Sequence, residues 1–349
     1  MADIVIVNPR FGTSFWGMEH CMRMLGKKAN LPVACLPLLA ALVPPEHNVT
    51  IVDENVEDLD FDRLARANMV CVTGMSVQGG RVLEILTELK ARGVFTVIGG
   101  PMATVEPEAV EQLADVVFVG EADVTWPQFI KEWEVGRHAR RYEQLEKTDM
   151  ATLPRPRLDL LKSSRYMFGS MQISRGCPFT CEFCDIIVTF GRKPRLKSRE
   201  QVLAELDSYY REGIDIVFVV DDNLIGNKKA IKPLLRDIAK WQEEHAYALT
   251  LFTEASLDLA EDDELMQLMG QAGFQSVFIG IESPDEASLK ETKKYQNVRE
   301  RAGTIVERVQ RIQENGLDVW CGMIVGFDND KPQAFDVLPG FLSRARIAN

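Results

Sequence analysis

The sequence predicts an α/β protein in two parts, an N-terminal doubly wound, Rossmann-like parallel sheet followed by a partial (β/α) barrel. Three observations lead there. Short apolar runs alternate with amphipathic stretches along most of the chain. A basic, proline-bearing segment at 136–170 interrupts that alternation, and a second alternating series begins at Met171. The expected divisions are a first domain over 1–135, a linker over 136–170 and a barrel over 171–349.

In the first part, apolar runs at 4–7, 49–52, 69–72, 95–98 and 116–119 read as buried strands. Helical stretches near 33–43, 79–92, 106–114 and 123–134 separate them. Strand–helix–strand order implies right-handed crossovers, hence parallel pairing with helices on both faces. Several strands run into polar or glycine-rich turns: NPRFG at 8–12, VDEN at 52–55, TGMS at 73–76, GGP at 99–101 and GEAD at 120–123. The carboxyl ends of an open parallel sheet form its ligand crevice, which makes Thr73, Ser76, Gly99, Gly100 and Gly120 candidate binding residues. No GxGxxG follows the first strand, so a dinucleotide site is unsupported. In the segment that follows, LPRPRLDLL at 153–161 restricts its own backbone through its prolines and reads as an ordered linker.

The second series has strand candidates at 171–174, 215–220, 248–253, 276–281 and 318–325, with helices at 199–211, 228–244, 261–272 and 298–315. Three helices close on Gly213, Gly273 and Gly316, residues suited to the left-handed turn that ends a helix. Repeated helix–glycine–strand units read as part of a barrel, whose chemistry sits at the strands' carboxyl ends.

Composition narrows the function classes. The formal net charge of −12 disfavours nucleic-acid backbone and anionic membrane as partners. No apolar run reaches bilayer length, and MADIVIVNPR reads as a strand, not a signal peptide. Of seven cysteines, Cys21, Cys35, Cys71 and Cys321 are scattered, which suits a reducing compartment and makes the cytoplasm the expected location.

The other three crowd into RGCPFTCEFCD at 175–185, as Cys177, Cys181 and Cys184. Structural zinc wants four ligands, and no fourth Cys or His is near in sequence. A redox CxxC pair leaves Cys177 unexplained, and buried structural cysteines fit poorly among Gly, Pro, Thr and Glu. An iron–sulfur cluster suits the loop best, with one iron left open for a substrate.

CPFTCEFC is CxxxCxxC with an aromatic, Phe183, before the last cysteine, directly after a barrel strand. It resembles the radical SAM superfamily. The resemblance implies that the three cysteines ligate a [4Fe–4S] cluster and that S-adenosylmethionine (SAM) chelates the fourth iron. Reductive cleavage of SAM then yields a carbon radical, with the electron coming from a donor such as flavodoxin or ferredoxin. VVDDN at 219–223 stands where the family commonly has Gly-Gly-Glu, so Asp221 or Asp222 is the expected acceptor for the SAM ammonium. Glu254 and Ser256 in FTEAS, and Glu282 and Ser283 in GIES, are expected to meet ribose or ammonium. Gly322, Ile324 and Gly326 in GMIVGFD are similar to the segment that packs along adenine.

A Rossmann-like domain ahead of such a barrel resembles the cobalamin-binding class of these enzymes, and LPRPRLDLL with RGCPFTCEFCDII resembles the hopanoid-methylase and natural-product methyltransferase branch. This implies methyl transfer from methylcobalamin to an unactivated carbon or phosphorus of a small molecule. The DxHxxG motif is absent; of the histidines in 1–140, His20, His47 and His138, none has that context, so cobalamin is expected base-off. Two other readings stay open: cobalamin-independent transfer of the 3-amino-3-carboxypropyl group of SAM, and a non-enzymatic iron–sulfur protein with Cys321 as fourth ligand. A sixth strand is expected after Asn349, so the sequence reads as lacking the C-terminal part of its barrel.

Overall fold

Apolar runs become strands where both faces can be covered. In the computed structural model, which describes residues 1–299 and 301–348, the first sheet has six strands. They are β1 (Asp3–Asn8), β2 (Asn48–Asp53), β3 (Met69–Thr73), β4 (Thr96–Gly99), β5 (Val116–Gly120) and β6 (Arg141–Gln144). Their order is β2-β1-β3-β4-β5-β6 and all pairings are parallel, the doubly wound arrangement expected. Side-chain alternation divides each apolar strand between two cores. Val5, Val7, Val70, Val72 and Ile98 meet Val82, Ile85, Leu86 and Leu89 of the helix Gly79–Ala91 on one face. Ile4, Ile6, Met69, Val97 and Phe118 meet Leu36 and the helix Thr125–Glu134 on the other.

Two segments depart from expectation. β6 lies inside the stretch expected to be linker: Arg141–Gln144 alternates exposed and buried residues, and Tyr142 stacks on Phe118 with ring centroids 5.1 Å apart. With one apolar residue, such an edge strand leaves no apolar run to read. The helix expected at 106–114 is replaced by Pro101–Val105 and a 3₁₀ turn at Pro107–Ala109. Pro101 and Pro107 each suit a first helical position, where a missing N–H costs nothing.

The chain divides into two units, Met1–Ser170 with Asp207–Ile214, and Met171–Leu206 with Asp215–Asn349. The second sheet runs β13-β12-β11-β10-β7, from β7 (Gly169–Met171), β10 (Ile216–Val219), β11 (Thr250–Ala255), β12 (Phe274–Glu282) and β13 (Asp318–Met323). Between β7 and β10, β8 (Ser174–Arg175) and β9 (Arg195–Leu196) form a small antiparallel pair. The pairings β10–β11, β11–β12 and β12–β13 are parallel, as a partial (β/α) barrel requires. Val217, Val219, Leu251, Thr253, Val277 and Ile279 are buried on one face of this sheet. Phe218, Phe252, Glu254, Phe278 and Trp320 alternate onto the other and stay partly open. The helix expected at 298–315 starts later, at Ile305, because Thr304 and Glu307 cap it reciprocally. No helix among the described residues is long and apolar enough to cross a membrane.

Candidate functional site

The cysteine loop is built by its flanks. Ladder pairing of β7 ends at Met171, and the chain turns away because Asp221, at the end of β10, captures it. Asp221 accepts from the Ile173 N–H at 2.7 Å and from the Ser174 hydroxyl at 2.6 Å, and is fully buried. Its neighbour Asp222 accepts the Gly176 N–H at 2.7 Å. Gly176 has φ +99°, and a Cβ there would sit 2.9 Å from the Gly191 carbonyl oxygen and 3.0 Å from that of Lys193. Only glycine fits this entry to Cys177.

All seven cysteines are unbridged. Each sulfur of the triplet meets an N–H donor. Cys177 accepts from the Phe179 backbone and from Asn223 Nδ2 at 3.7 Å; Cys184 accepts from the Ile186 backbone; Cys181 accepts from Gln296 Nε2 at 3.3 Å. Burial pushes the Cys177 and Cys184 thiols above their ordinary pKa, and these donors oppose it. Donors aimed at sulfur stabilise thiolate, the form that binds iron. Cys321 does not join them: it alternates with Trp320 and Gly322 onto the face where Val319 and Ile279 are buried, and burial raises its thiol to about 11.

The expected carboxylates have distinct roles. Both oxygens of Asp221 are engaged by the chain, and burial raises its pKa to about 7. Asp222 is also raised by burial, against the pull of the Gly176 N–H. The Glu254 carboxylate makes no hydrogen bond among the described residues; burial, then the charges of Asp222 and Asp221, lift it to about 7. An unpaired carboxylate on the open face beside two others is a natural acceptor for an ammonium group. Ser256 accepts from Asn223 Nδ2 at 3.1 Å and donates to Asp258 at 2.5 Å. Ser283 is buried and accepts the Asp285 N–H at 3.1 Å, a local turn bond.

Glu282 has φ +66°, a strained setting for a non-glycine residue, where the β12–β13 register shifts. Lys294 donates to its carboxylate at 2.5 Å and lies 5.5 Å above the Phe183 ring, which is partly exposed. Phe183 also approaches Phe327, 6.2 Å between centroids. A Cβ on Gly322 would come 3.0 Å from the Phe278 ring, the Ile324 N–H donates to the Glu282 carbonyl at 2.8 Å, and the Gly326 N–H donates to Asp330. Asn223, Lys294 and Gln296 were absent from the expected set, because polar residues in short turns carry no periodic signal.

In the first unit, the turns after β3, β4 and β5 lie at one edge. A Cβ on Gly100, φ +91°, would come 2.5 Å from Thr73 Oγ1 and 3.1 Å from the Gly74 backbone, so this glycine is demanded by the neighbouring turn. A Cβ on Gly99 would come 3.4 Å from Phe118 Cβ, the Gly120 N–H donates to Thr104 Oγ1 at 3.1 Å, Thr73 is buried and Ser76 is exposed. Gln78, not anticipated, ties the edge together by donating to Asn8 and Pro9 while accepting the Met75 N–H. Met75, Val77, Val105 and Val124 stand exposed around these turns. An apolar rim on a polar crevice fits a large, partly apolar cofactor such as a corrin. His47 and His138 lie at the opposite edge: His47 Nδ1 accepts the Ala2 N–H, and His138 packs on Phe95, just before β4. Neither can reach a ligand at the crevice. His47 forms a group with Glu46 and Glu134: its Nε2 lies 3.0 Å from a Glu134 carboxylate oxygen, while its Nδ1 is taken up as acceptor of the Ala2 N–H.

Fold and site together define a class: a doubly wound sheet with an open crevice, then a partial barrel whose strand ends hold a three-cysteine loop. Residues 171–338 match the radical SAM superfamily and residues 28–130 the B12 binding domain. The chain belongs to the radical SAM superfamily, with a B12-binding domain ahead of its radical SAM domain. It is 43% identical to an uncharacterised methyltransferase of Synechocystis sp., over 98% of this chain and 64% of that protein. It is 35% identical to the hopanoid C-2 methylase of Rhodopseudomonas palustris, over 99% of this chain and 66% of that protein. The chain thus spans about two thirds of these relatives. Its fold is similar to that of the radical S-adenosylmethionine methyltransferase TsrM of Kitasatospora setae, solved with cobalamin and a [4Fe–4S] cluster bound. That match has a TM-score of 0.78 at 18% identity and covers 99% of this chain and 73% of the other.

Proposed function

We propose that this chain is the catalytic part of a cobalamin-dependent radical SAM methyltransferase acting on an unactivated carbon or phosphorus of a small molecule, in the hopanoid-methylase-like branch. The observation that carries this reading is the triplet of N–H-supported cysteines at the strand ends beside the unpaired Glu254. The names of the relatives at 43% and 35% identity support the methyl-transfer half of it. When bound, the [4Fe–4S] cluster and SAM supply a carbon radical, and cobalamin supplies the methyl group. In this reading Cys177, Cys181 and Cys184 hold three irons. Glu254 and Asp222 accept the SAM ammonium, Gly322 and Ile324 border the adenine, and Lys294 holds Phe183 against the loop. The turns at 73–76, 99–101 and 120–122 would hold cobalamin, with neither His47 nor His138 within reach.

Anaerobic reconstitution with iron, sulfide, cobalamin and SAM tests it. The expected result is a cluster whose EPR signal changes when SAM is added, a bound corrinoid, and 5′-deoxyadenosine on reduction. A chain that takes up cluster but no corrinoid, even after growth with cobalamin, would sink the methyltransferase assignment. Release of 5′-methylthioadenosine instead would redirect it to aminocarboxypropyl transfer.

A further inference from the structure

We infer that Gln296 is a positioning residue that makes the iron–sulfur cluster easier to reduce, by holding an amide N–H on the Cys181 ligand. The inference rests on the proposed cluster and adds a residue outside the cysteine motif. Cys177 and Cys184 receive N–H donors from their own loop, at Phe179 and Ile186. For Cys181 the donor is Gln296 Nε2, 115 residues away in sequence and buried.

The backbone that carries this side chain is held from behind. The guanidinium of Arg308, fully buried, donates to the carbonyls of Gln296 at 2.8 Å, Asn297 at 3.1 Å and Arg299 at 3.0 Å. Asn297 in turn donates to the carbonyls of Gly280 and Ile281, at 3.0 Å each, which fixes the short turn Tyr295–Val298 to β12. Burying a guanidinium to satisfy three carbonyls of one turn is costly, and burial lowers its pKa against Glu261 and Asp258.

The electrostatic consequence has a definite sign. Reduction places one electron, taken from an external low-potential donor, on the cluster and its thiolates, so the reduced form is the more negative. A fixed N–H dipole pointing at sulfur stabilises that form more than the oxidised one and raises the potential. Removing it makes reduction harder.

The test is a potentiometric titration with dithionite and mediators of the anaerobically reconstituted chain, followed by the EPR signal of the reduced cluster. Gln296→Met keeps the side-chain volume without the N–H. It is expected to lower the one-electron reduction equilibrium constant about tenfold, equivalent to about 59 mV. Gln296→Glu, which places an acceptor on the sulfur, should lower it further. If the methionine chain fails to retain iron, Gln296→Asn, with its amide drawn back by one methylene, is read against the same expectation. Unchanged potentials in variants that hold a full cluster would overturn the inference. Failure of the unsubstituted chain to take up iron would instead refute the proposed function, and iron analysis shows this before any titration.

Discussion

The fold tolerates the charge of Glu254 poorly. Its carboxylate has no hydrogen-bond partner among the described residues, and burial with the nearby Asp222 and Asp221 raises its pKa from 4.5 to about 7. Between those values the folded chain holds a proton that the unfolded chain has lost, so stability falls as pH rises through that window. Glu254→Gln removes this slope: near pH 5 the two chains should be alike, and at pH 8 the variant should be more stable by roughly 2 kcal/mol. Urea midpoints of the metal-free chains at both pH values check this, and parallel pH dependence in the two chains would refute it. Asp221 carries a different burden, since its oxygens satisfy the Ile173 N–H and the Ser174 hydroxyl inside the protein. Asp221→Ala strands both donors and is expected to cost about 2–4 kcal/mol. Iron uptake should fall with it, because the captured segment leads directly into Cys177.

At the scale of elements, the loop between β8 and β9 shows how backbone geometry reaches the chemistry. Gly176→Ala would force φ +99° on an alanine and drive its Cβ to 2.9 Å and 3.0 Å from two carbonyl oxygens. A penalty of roughly 1–3 kcal/mol follows from the backbone alone. Iron bound per chain after reconstitution should drop although all three cysteines remain; full iron loading would show that the loop tolerates the change. The sequence made this loop legible, because three clustered cysteines and a glycine are local features. Strands with continuous apolar runs, such as 69–72 and 116–119, were equally legible, since burial on both faces of a parallel sheet requires them. β6 was not, because an edge strand needs only Tyr142 to pack. The turn Tyr295–Val298 was hidden for a related reason: Gln296 and Asn297 matter through partners at Cys181 and β12, far away in sequence. Of the two acidic residues in VVDDN, only coordinates reveal that Asp221 is consumed structurally.

At the scale of the molecule, the residues assigned to the two cofactors fall in separate units. Thr73, Ser76, Gly99, Gly100 and Gly120 belong to the first unit and the cysteine triplet to the second. The first sheet has buried cores on both faces that include no residue of the cysteine loop. Cofactor loading should therefore dissociate in the intact chain. Replacing Cys177, Cys181 and Cys184 together by alanine is expected to abolish iron uptake while corrinoid binding persists, read from iron content and corrinoid absorbance of the same sample. Gly100→Ala should do the reverse. Its Cβ would push the turn after β4 off Thr73 and Gly74, weakening corrinoid retention while iron loading stays at the level of the unsubstituted chain. Loss of both cofactors in either variant would mean that one site depends on the other, and the assignment of one cofactor to each unit would fail.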